Sequence, residues 1–421
     1  MNWFFFRNIL LTALVSGLAL AQSTEFTKRS KNEVREGPGS YFRLMGVLPR
    51  GVAIPVLKHQ EGWVNFVPGE KKPANGAQSA WMSKNCLVEK RPNGVLKDLN
   101  IEWNSSKASP SSIAAAVRGF AVRYGRTRPS TVDSLSKSLT DITPMEFIEF
   151  KRGMTSGLRA LPSVLKVSDE PILSTEYDVT IAEEGVGLGI ASRVASEGLI
   201  ADSSLNRYVN LVAALLVDAS GAYDTPMRVF VTKGESINAV SVPGGYIFIT
   251  LKMVRMCHDE SELAAVIAHE MTHILCNHGV KEIHQRLSNI RMDEAMDELD
   301  AEAGEQPGET IQDLDDFAIE AYEAVNKPRL LDYEIEADRG AAALLRTAGY
   351  DPMGVGRMLL SMRGIVGKSS DLDKENPLLQ RDIQLRYDKV IALIQKTFAV
   401  NKGVTNAERF RRFVGDRPPT N

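Results

Sequence analysis

Cysteine is scarce in this chain: Cys86, Cys257 and Cys276 are the three in 421 residues. Three thiols do not make a disulfide framework, so the fold must be held by buried apolar surface. Cys257 and Cys276 flank one helical stretch on the order of 25 Å apart at 1.5 Å per residue, which excludes a bridge between them. Charge of one sign is lacking too, because 50 Lys and Arg stand against 53 Asp and Glu for a net of −3. No basic field results, and nucleic acid is not an expected partner. No internal repeat is visible. Apolar runs are short: Ile9 to Ala21 is broken only by small or hydroxylated residues and falls below a comfortable membrane span. Histidine is limited to six residues, His59, His258, His269, His273, His278 and His284. With 43% hydrophobic residues, the chain has ample material for two or three cores.

The N-terminus reads as an export signal over residues 1–21. Arg7 supplies the positive start, Ile9 to Ala21 the apolar core, and Ala19-Leu20-Ala21 the small-x-small cleavage site. No Cys follows that site, so a lipid anchor is not expected. The predicted location is periplasmic or secreted, with no stable membrane span after cleavage. Residues 24–90 are rich in turn residues and short β-prone runs, at Tyr41 to Leu48, Val52 to Leu57, Trp63 to Phe66, and Trp81 with Met82. Asn32 to Gly39, Gly51, Gly62-Trp63-Val64 and Trp81 together resemble the bacterial SH3-like domain, a small barrel that in its family binds peptides or cell-wall stem peptides. Binding of peptidoglycan or peptide and a passive spacer are both compatible with this segment. A polar joint runs from Glu89 to Pro110, and helices are predicted over Ser112 to Arg123 and about Val132 to Arg152. Residues 91–169 are thus read as a helical linker region.

His269-Glu270-Met271-Thr272-His273 carries the chemistry. On a helix, positions i and i+4 share a face, so both imidazoles reach one metal ion and Glu270 stands beside the same opening. Composition alone would produce such a pentapeptide in on the order of one chain in a hundred, so its context decides. Asp259 and Glu262 form a capping box, and an almost wholly apolar stretch follows to Leu275 with no Gly or Pro before Gly279. A helix apolar all round is buried, and two His and a Glu inside it need a partner. Hydrolytic zinc takes three protein ligands and one open position. The other histidines serve poorly. His278, five residues on, should turn about 140° away along a continuous helix, as a surface residue or one behind the ligands, and His59 and His258 lie far from the pair. Cys276 is read as a buried small apolar residue. Glu334 and Asp338, also i and i+4, share one face of a later helix that stops at Gly349 and Pro352, while Glu336 should point elsewhere. Spacing alone leaves that face open to being an ordinary solvated one.

The His-Glu-x-x-His motif, the run Glu334-Ile335-Glu336-Ala337-Asp338-Arg339, and Asn238-Ala239 ahead of Pro243-Gly244-Gly245-Tyr246-Ile247 together resemble the CAAX prenyl protease and HtpX family of gluzincin zinc metallopeptidases, in its soluble periplasmic, BepA- and LoiP-like branch. The resemblance covers about residues 170–395. It implies that His269, His273 and Glu334 bind one Zn2+ per chain, that Glu270 is the catalytic base and acid, and that Asp338 is an active-site carboxylate behind the ligands. A carboxylate accepting a ligand imidazole's N–H is what such a site requires. Met227 to Thr232 and Tyr246 to Thr250 read as strands around a Pro-Gly-Gly turn. In the family an edge strand there holds extended substrate. One departure is that Asn376-Pro377 stands where relatives carry His-Pro, ahead of Arg381 and Arg386. The oxyanion stabiliser is open among Arg386, Arg339 and Tyr246.

Residues 293–323 hold thirteen acids and no base around Pro307-Gly308, a pattern compatible with a solvated acidic face or a lid. The basic run Arg409 to Phe413 in residues 396–421 reads as surface or a disordered tail. The expected fold is α+β: a mostly helical peptidase domain with a small sheet, preceded by an all-β SH3-like barrel. The expected activity is zinc-dependent hydrolysis of unfolded or misassembled envelope proteins. A non-cutting holdase or scaffold and a cell-wall-binding protein are the alternatives.

Overall fold

The computed structural model describes residues 23–29, 32–67, 79–92, 135, 142–154, 181–196, 198–223, 225, 227–234, 236–286, 329–366, 376–398 and 403–415. The export signal, the acidic segment 293–323 and the helix expected over 112–123 lie outside the described residues. The architecture is α+β, in two compact units, residues 1–108 and 109–421.

The first unit is a seven-stranded antiparallel sheet. Its strands are β1 (Ser23–Thr27), β2 (Asn32–Arg35), β3 (Leu44–Leu48), β4 (Ala53–Gln60), β5 (Trp63–Phe66), β6 (Ala80–Ser83) and β7 (Leu87–Val88), in the order β3-β2-β6-β5-β4-β1-β7. Alternation sets the inward face: Val34, Ile54, Val56, Val64, Phe66 and Met82 meet in one apolar cluster. Gln60 pairs with Trp63 across a two-residue turn in which Glu61 and Gly62 both take positive φ, at 45° and 88°. That is the primed turn whose twist matches the strands it joins. The run expected at 63–66 is β5, and the run expected at 52–57 overlaps β4 from Ala53 onward. Strands β1 and β2 were not expected. Their sequences are polar, and β2 enters the core through Val34 and Asn32, the latter donating its side-chain N–H to Arg29 and Leu48 carbonyls at 2.7 and 2.9 Å.

The second unit contains α1 (Pro144–Arg152), α2 (Ile181–Ser196), α3 (Ser203–Ser220), β8 (Arg228–Thr232), β9 (Ala239–Val242), β10 (Tyr246–Thr250), α4 (Leu251–Met256), α5 (Glu260–Leu275), α6 (His278–Arg286), α7 (Leu331–Ala348), α8 (Met353–Val366), α9 (Asn376–Phe398) and α10 (Ala407–Val414). Every residue of α5 is buried, as a helix apolar on all sides must be. Helices α3, α7 and α8 surround it, and α9 lies against α7 and α8. Asp259 caps α5 by accepting the Glu262 N–H at 2.9 Å, while Glu262 accepts the N–H of His258 instead of that of Asp259.

The small sheet runs β8-β10-β9, with β8 parallel to β10 and β9 antiparallel at the edge. Pro243-Gly244-Gly245 makes the β9 to β10 turn, and φ of 80° and 86° at the two glycines is the reason for their type. Phe230, Tyr246 and Phe248 cover α2 through Leu188, Ala191 and Val194. From α3, the Asn210 amide bonds both backbone groups of Val229, at 2.8 and 3.0 Å, acting as a short strand neighbour for β8. Among the described residues, no helix is long and apolar enough to cross a membrane.

The C-terminal end corrects the expectation of a surface tail. Residues 407–414 form helix α10, with Phe410 buried and the Phe413 ring stacked 4.4 Å from that of Tyr208. Arg409 pairs with Glu260 at the start of α5. The alternation of arginine and phenylalanine on a helix put the aromatic rings toward the core, a pattern masked by its net positive charge.

Candidate active site

Helices α5 and α7 pack closely because a glycine stands at their crossing. A Cβ on Gly340 would lie 2.4 Å from Cγ2 of Thr272. That approach lets Glu334, from the first turn of α7, reach the two histidines of α5. His269 Nε2 and His273 Nε2 are 3.1 Å apart, and Glu334 oxygens stand 3.4 Å from the former and 3.5 Å from the latter. Ligand atoms about 2.0–2.1 Å from a tetrahedral zinc are separated by about 3.3 Å from one another, so the three side chains have the spacing of one zinc coordination shell. Glu270 is buried, and its Oε2 has no hydrogen-bond partner among the described residues. An acceptor of that kind, beside a three-ligand triangle, suits a proton-bearing group held at the metal. The donor set, the spacing and the lone Glu270 oxygen therefore all fit zinc.

Behind the triangle lies a layer of partners. His269 Nδ1 is 3.0 Å from Asp338 Oδ1. Arg386 of α9 donates through Nε and Nη2 to the two Asp338 oxygens at 2.7 and 2.9 Å, and its Nη1 lies 2.7 Å from Glu334 Oε2. The electrostatics follow. Burial favours the neutral form of Asp338 and of Glu334, but the Arg386 charge and hydrogen bonds with the histidines outweigh it and hold both carboxyls low. Burial also opposes a charge on His269, yet Asp338 and Glu334 outweigh it and raise this group to about 10. His273 goes the other way, pushed down by burial with the charges of His269 and Arg329 adding to it.

His278 departs from its predicted course. Helix α5 ends at Leu275, and Asn277 takes φ of 57°, so α6 starts in a new direction. The turn brings His278 back, fully buried, with Nδ1 2.8 Å from His273 Nδ1 and Nε2 3.2 Å from Glu336 Oε2. Tyr333 stacks on its ring at 4.3 Å. An asparagine near a helix C-terminus is a recognised left-handed stop, and this was the available signal. Cys276 is half-buried, and together with His278 and Glu336 it offers donor atoms within 4.8 Å of one another. Burial, then the Glu336 charge, drives the Cys276 thiol up to about 12. Of the oxyanion candidates, Arg386 is at the site, Arg339 is exposed on α7, and Tyr246 is packed in the sheet under Arg228. Arg329, which sequence reasoning passed over, donates to the Ser241 carbonyl on β9 at 3.1 Å and to Glu282 at 2.9 Å.

The sequence profile of peptidase family M48 matches residues 203–393, which hold α3, the small sheet, α5 and α7. This segment resembles a peptidase family M48 domain. The chain is similar to part of the beta-barrel assembly-enhancing protease of Escherichia coli K12, 29% identical over 164 residues covering 37% of this chain and 32% of that protein. The same protease of Yersinia pestis is 34% identical over 98 residues, 23% of this chain and 20% of that protein. The mitochondrial metalloendopeptidase OMA1 of Schizosaccharomyces pombe is 34% identical over 76 residues, 18% of this chain and 23% of that protein. These alignments span between a fifth and a third of the relatives' own lengths. Within the matched segment, His269, His273 and Glu334 offer donor atoms that all lie within 4.8 Å of one another.

Proposed function

We propose that this chain is a zinc-dependent endopeptidase in which His269, His273 and Glu334 hold one zinc ion and Glu270 moves the proton. The observation that carries this reading is the triangle of ligand atoms at coordination spacing beside the undonated Glu270 oxygen. Bound there, zinc supplies Lewis acidity, polarising the scissile carbonyl and lowering the pKa of a water. Glu270 accepts the proton of the attacking water and delivers it to the leaving amine. Asp338 fixes the His269 ring by accepting its Nδ1–H, and Arg386 fixes Asp338. Strand β9, at the sheet edge beside α5, offers backbone groups to an extended peptide, a mode that demands little of substrate sequence.

The proposed substrates are unfolded or misassembled envelope proteins. The names of the bacterial relatives and the signal-like N-terminus support that class and a periplasmic or secreted location. The sheet of the first unit is proposed to be an SH3-like module for peptides or peptidoglycan. The test is direct. Purified protein should hold about one zinc per chain and degrade an unfolded protein, while Glu270→Gln should keep the zinc and lose at least about a hundredfold in rate. Undiminished cutting by Glu270→Gln would sink the mechanism. Zinc without cleavage of any unfolded substrate would point to a holdase.

A further inference from the structure

Beyond the three ligands, the structure places an unassigned histidine against one of them. We infer that His278, backed by Glu336, is a positioning residue that fixes the His273 ring and its proton through a two-step relay. The inference rests on the metal reading above.

The two ligand histidines are supported in different ways. His269 meets a carboxylate directly, at 3.0 Å from Asp338. His273 meets no carboxylate on that side; its Nδ1 faces His278 Nδ1 at 2.8 Å. Two imidazole nitrogens at that distance share one proton, so one is donor and the other acceptor. With Nε2 of His273 committed to the metal, its Nδ1 bears the hydrogen and donates, and His278 Nδ1 accepts. The His278 proton is then on Nε2, directed at Glu336 Oε2 at 3.2 Å. The chain Glu336, His278, His273 is therefore polarised in one direction, as a carboxylate relayed through one imidazole. Tyr333 stacked on the His278 ring and complete burial of that ring hold its plane.

The same cluster has a competing reading as a second metal site, since Cys276, His278 and Glu336 lie within ligand distance of one another. The tautomer decides against it. A cation on His278 Nε2 would require that atom to be free of hydrogen, which moves the proton to Nδ1 and sets two N–H groups against each other at 2.8 Å. His273 cannot serve its metal and accommodate that arrangement. The relay and a second ion on His278 exclude one another.

The experiment measures zinc affinity by competition with a chelating dye, alongside unfolding of the metal-stripped full chain. His278→Phe keeps the ring and its stacking on Tyr333 but removes the acceptor. His278→Asn restores an acceptor near the Nδ1 position. Zinc should bind about 10–100-fold more weakly in His278→Phe, and His278→Asn should recover most of that loss. Glu336→Gln, on a half-exposed side chain that folding tolerates, should weaken zinc several-fold and shift the visible bands of the cobalt-substituted protein. Unchanged affinity in both His278→Phe and Glu336→Gln overturns the inference. So does equal loss in His278→Phe and His278→Asn with Glu336→Gln unaffected, which would leave a packing role alone. Two zinc ions per chain, reduced to one by Cys276→Ser, would put His278 on a second ion and likewise overturn it. Failure of the wild-type protein to bind zinc at all would refute the underlying metal reading instead, which separates the two failures.

Discussion

At the scale of single residues, the site is an exercise in balancing buried charge. Glu334 and Asp338 bring two carboxylates into a largely buried space, and among the described arginines and lysines Arg386 alone touches both. Its planar fork matches Asp338 with two parallel bonds, a geometry lysine cannot reproduce. Arg386→Met would strand both carboxylates, and loss of one partner from a buried pair costs about 3–5 kcal/mol. Chemical denaturation of the metal-stripped protein should show a loss in that range, with Arg386→Lys intermediate. A change under about 1 kcal/mol would mean that the carboxylates need no counter-charge, because zinc-binding groups alone then suffice. Cys276 gives a second residue-scale test. With its thiol raised to about 12 by burial and by Glu336, the thiolate is nearly absent at pH 8. Alkylation of the folded protein should be far slower than that of an ordinary exposed thiol, and unfolding should abolish the difference.

At the scale of elements, the crossing of α5 and α7 sets the distance from Glu334 to the histidines. Gly340→Ala would drive a methyl into Thr272, and overpacking of this kind costs about 1–3 kcal/mol. The displacement also separates ligands that sit on different helices. We expect Gly340→Ala to weaken zinc binding more than its stability loss alone would suggest, whereas Gly364→Ala on α8, where the new methyl meets open space, should leave zinc affinity as it is. This dependence explains what was and was not legible in the sequence. The i, i+4 spacing of His269 with His273, and of Glu334 with Asp338, is a property of any helix, so each pair was readable within its own segment. That the pairs meet came from family likeness, because no local rule brings α7 to α5 across about 60 residues. His278 was misplaced because the sequence was followed as one helix as far as Gly279, while the backbone turns at Asn277. Arg386, Arg329 and α10 contribute through contacts far apart in sequence, which periodicity does not encode.

At the scale of the whole second unit, one buried carboxylate gathers distant parts of the chain. Glu260, in the first turn of α5, accepts the hydroxyls of Tyr208 at 2.9 Å and Tyr350 at 2.7 Å, the Asn406 amide at 3.2 Å, and the Arg409 guanidinium. These come from α3, from the residues after α7, and from the start and body of α10. Helix α10 therefore carries the counter-charge of the central helix, and Arg409→Met should destabilise the fold by about 3–5 kcal/mol in denaturant unfolding. The same cluster fixes the response to alkali. Burial, with the Glu260 charge adding to it, raises both tyrosines well above their usual value of 10.0. A group whose folded pKa is raised contributes stability that is whole below its unfolded pKa and is lost as pH climbs toward the folded one. Each tyrosine thus removes about 1.4 kcal/mol per pH unit once the unfolded chain ionises, above about pH 10, and Cys276 adds its part between its ordinary 9.0 and about 12. In the metal-stripped protein, stability should already decline between pH 7 and 10, as the raised His269 loses its proton advantage, and fall more steeply above pH 10. Replacing both tyrosines by Phe should lower stability at neutral pH, because two donors to Glu260 are lost, and should flatten the alkaline fall. An equally steep fall in that double variant would assign the alkaline response to groups outside this cluster.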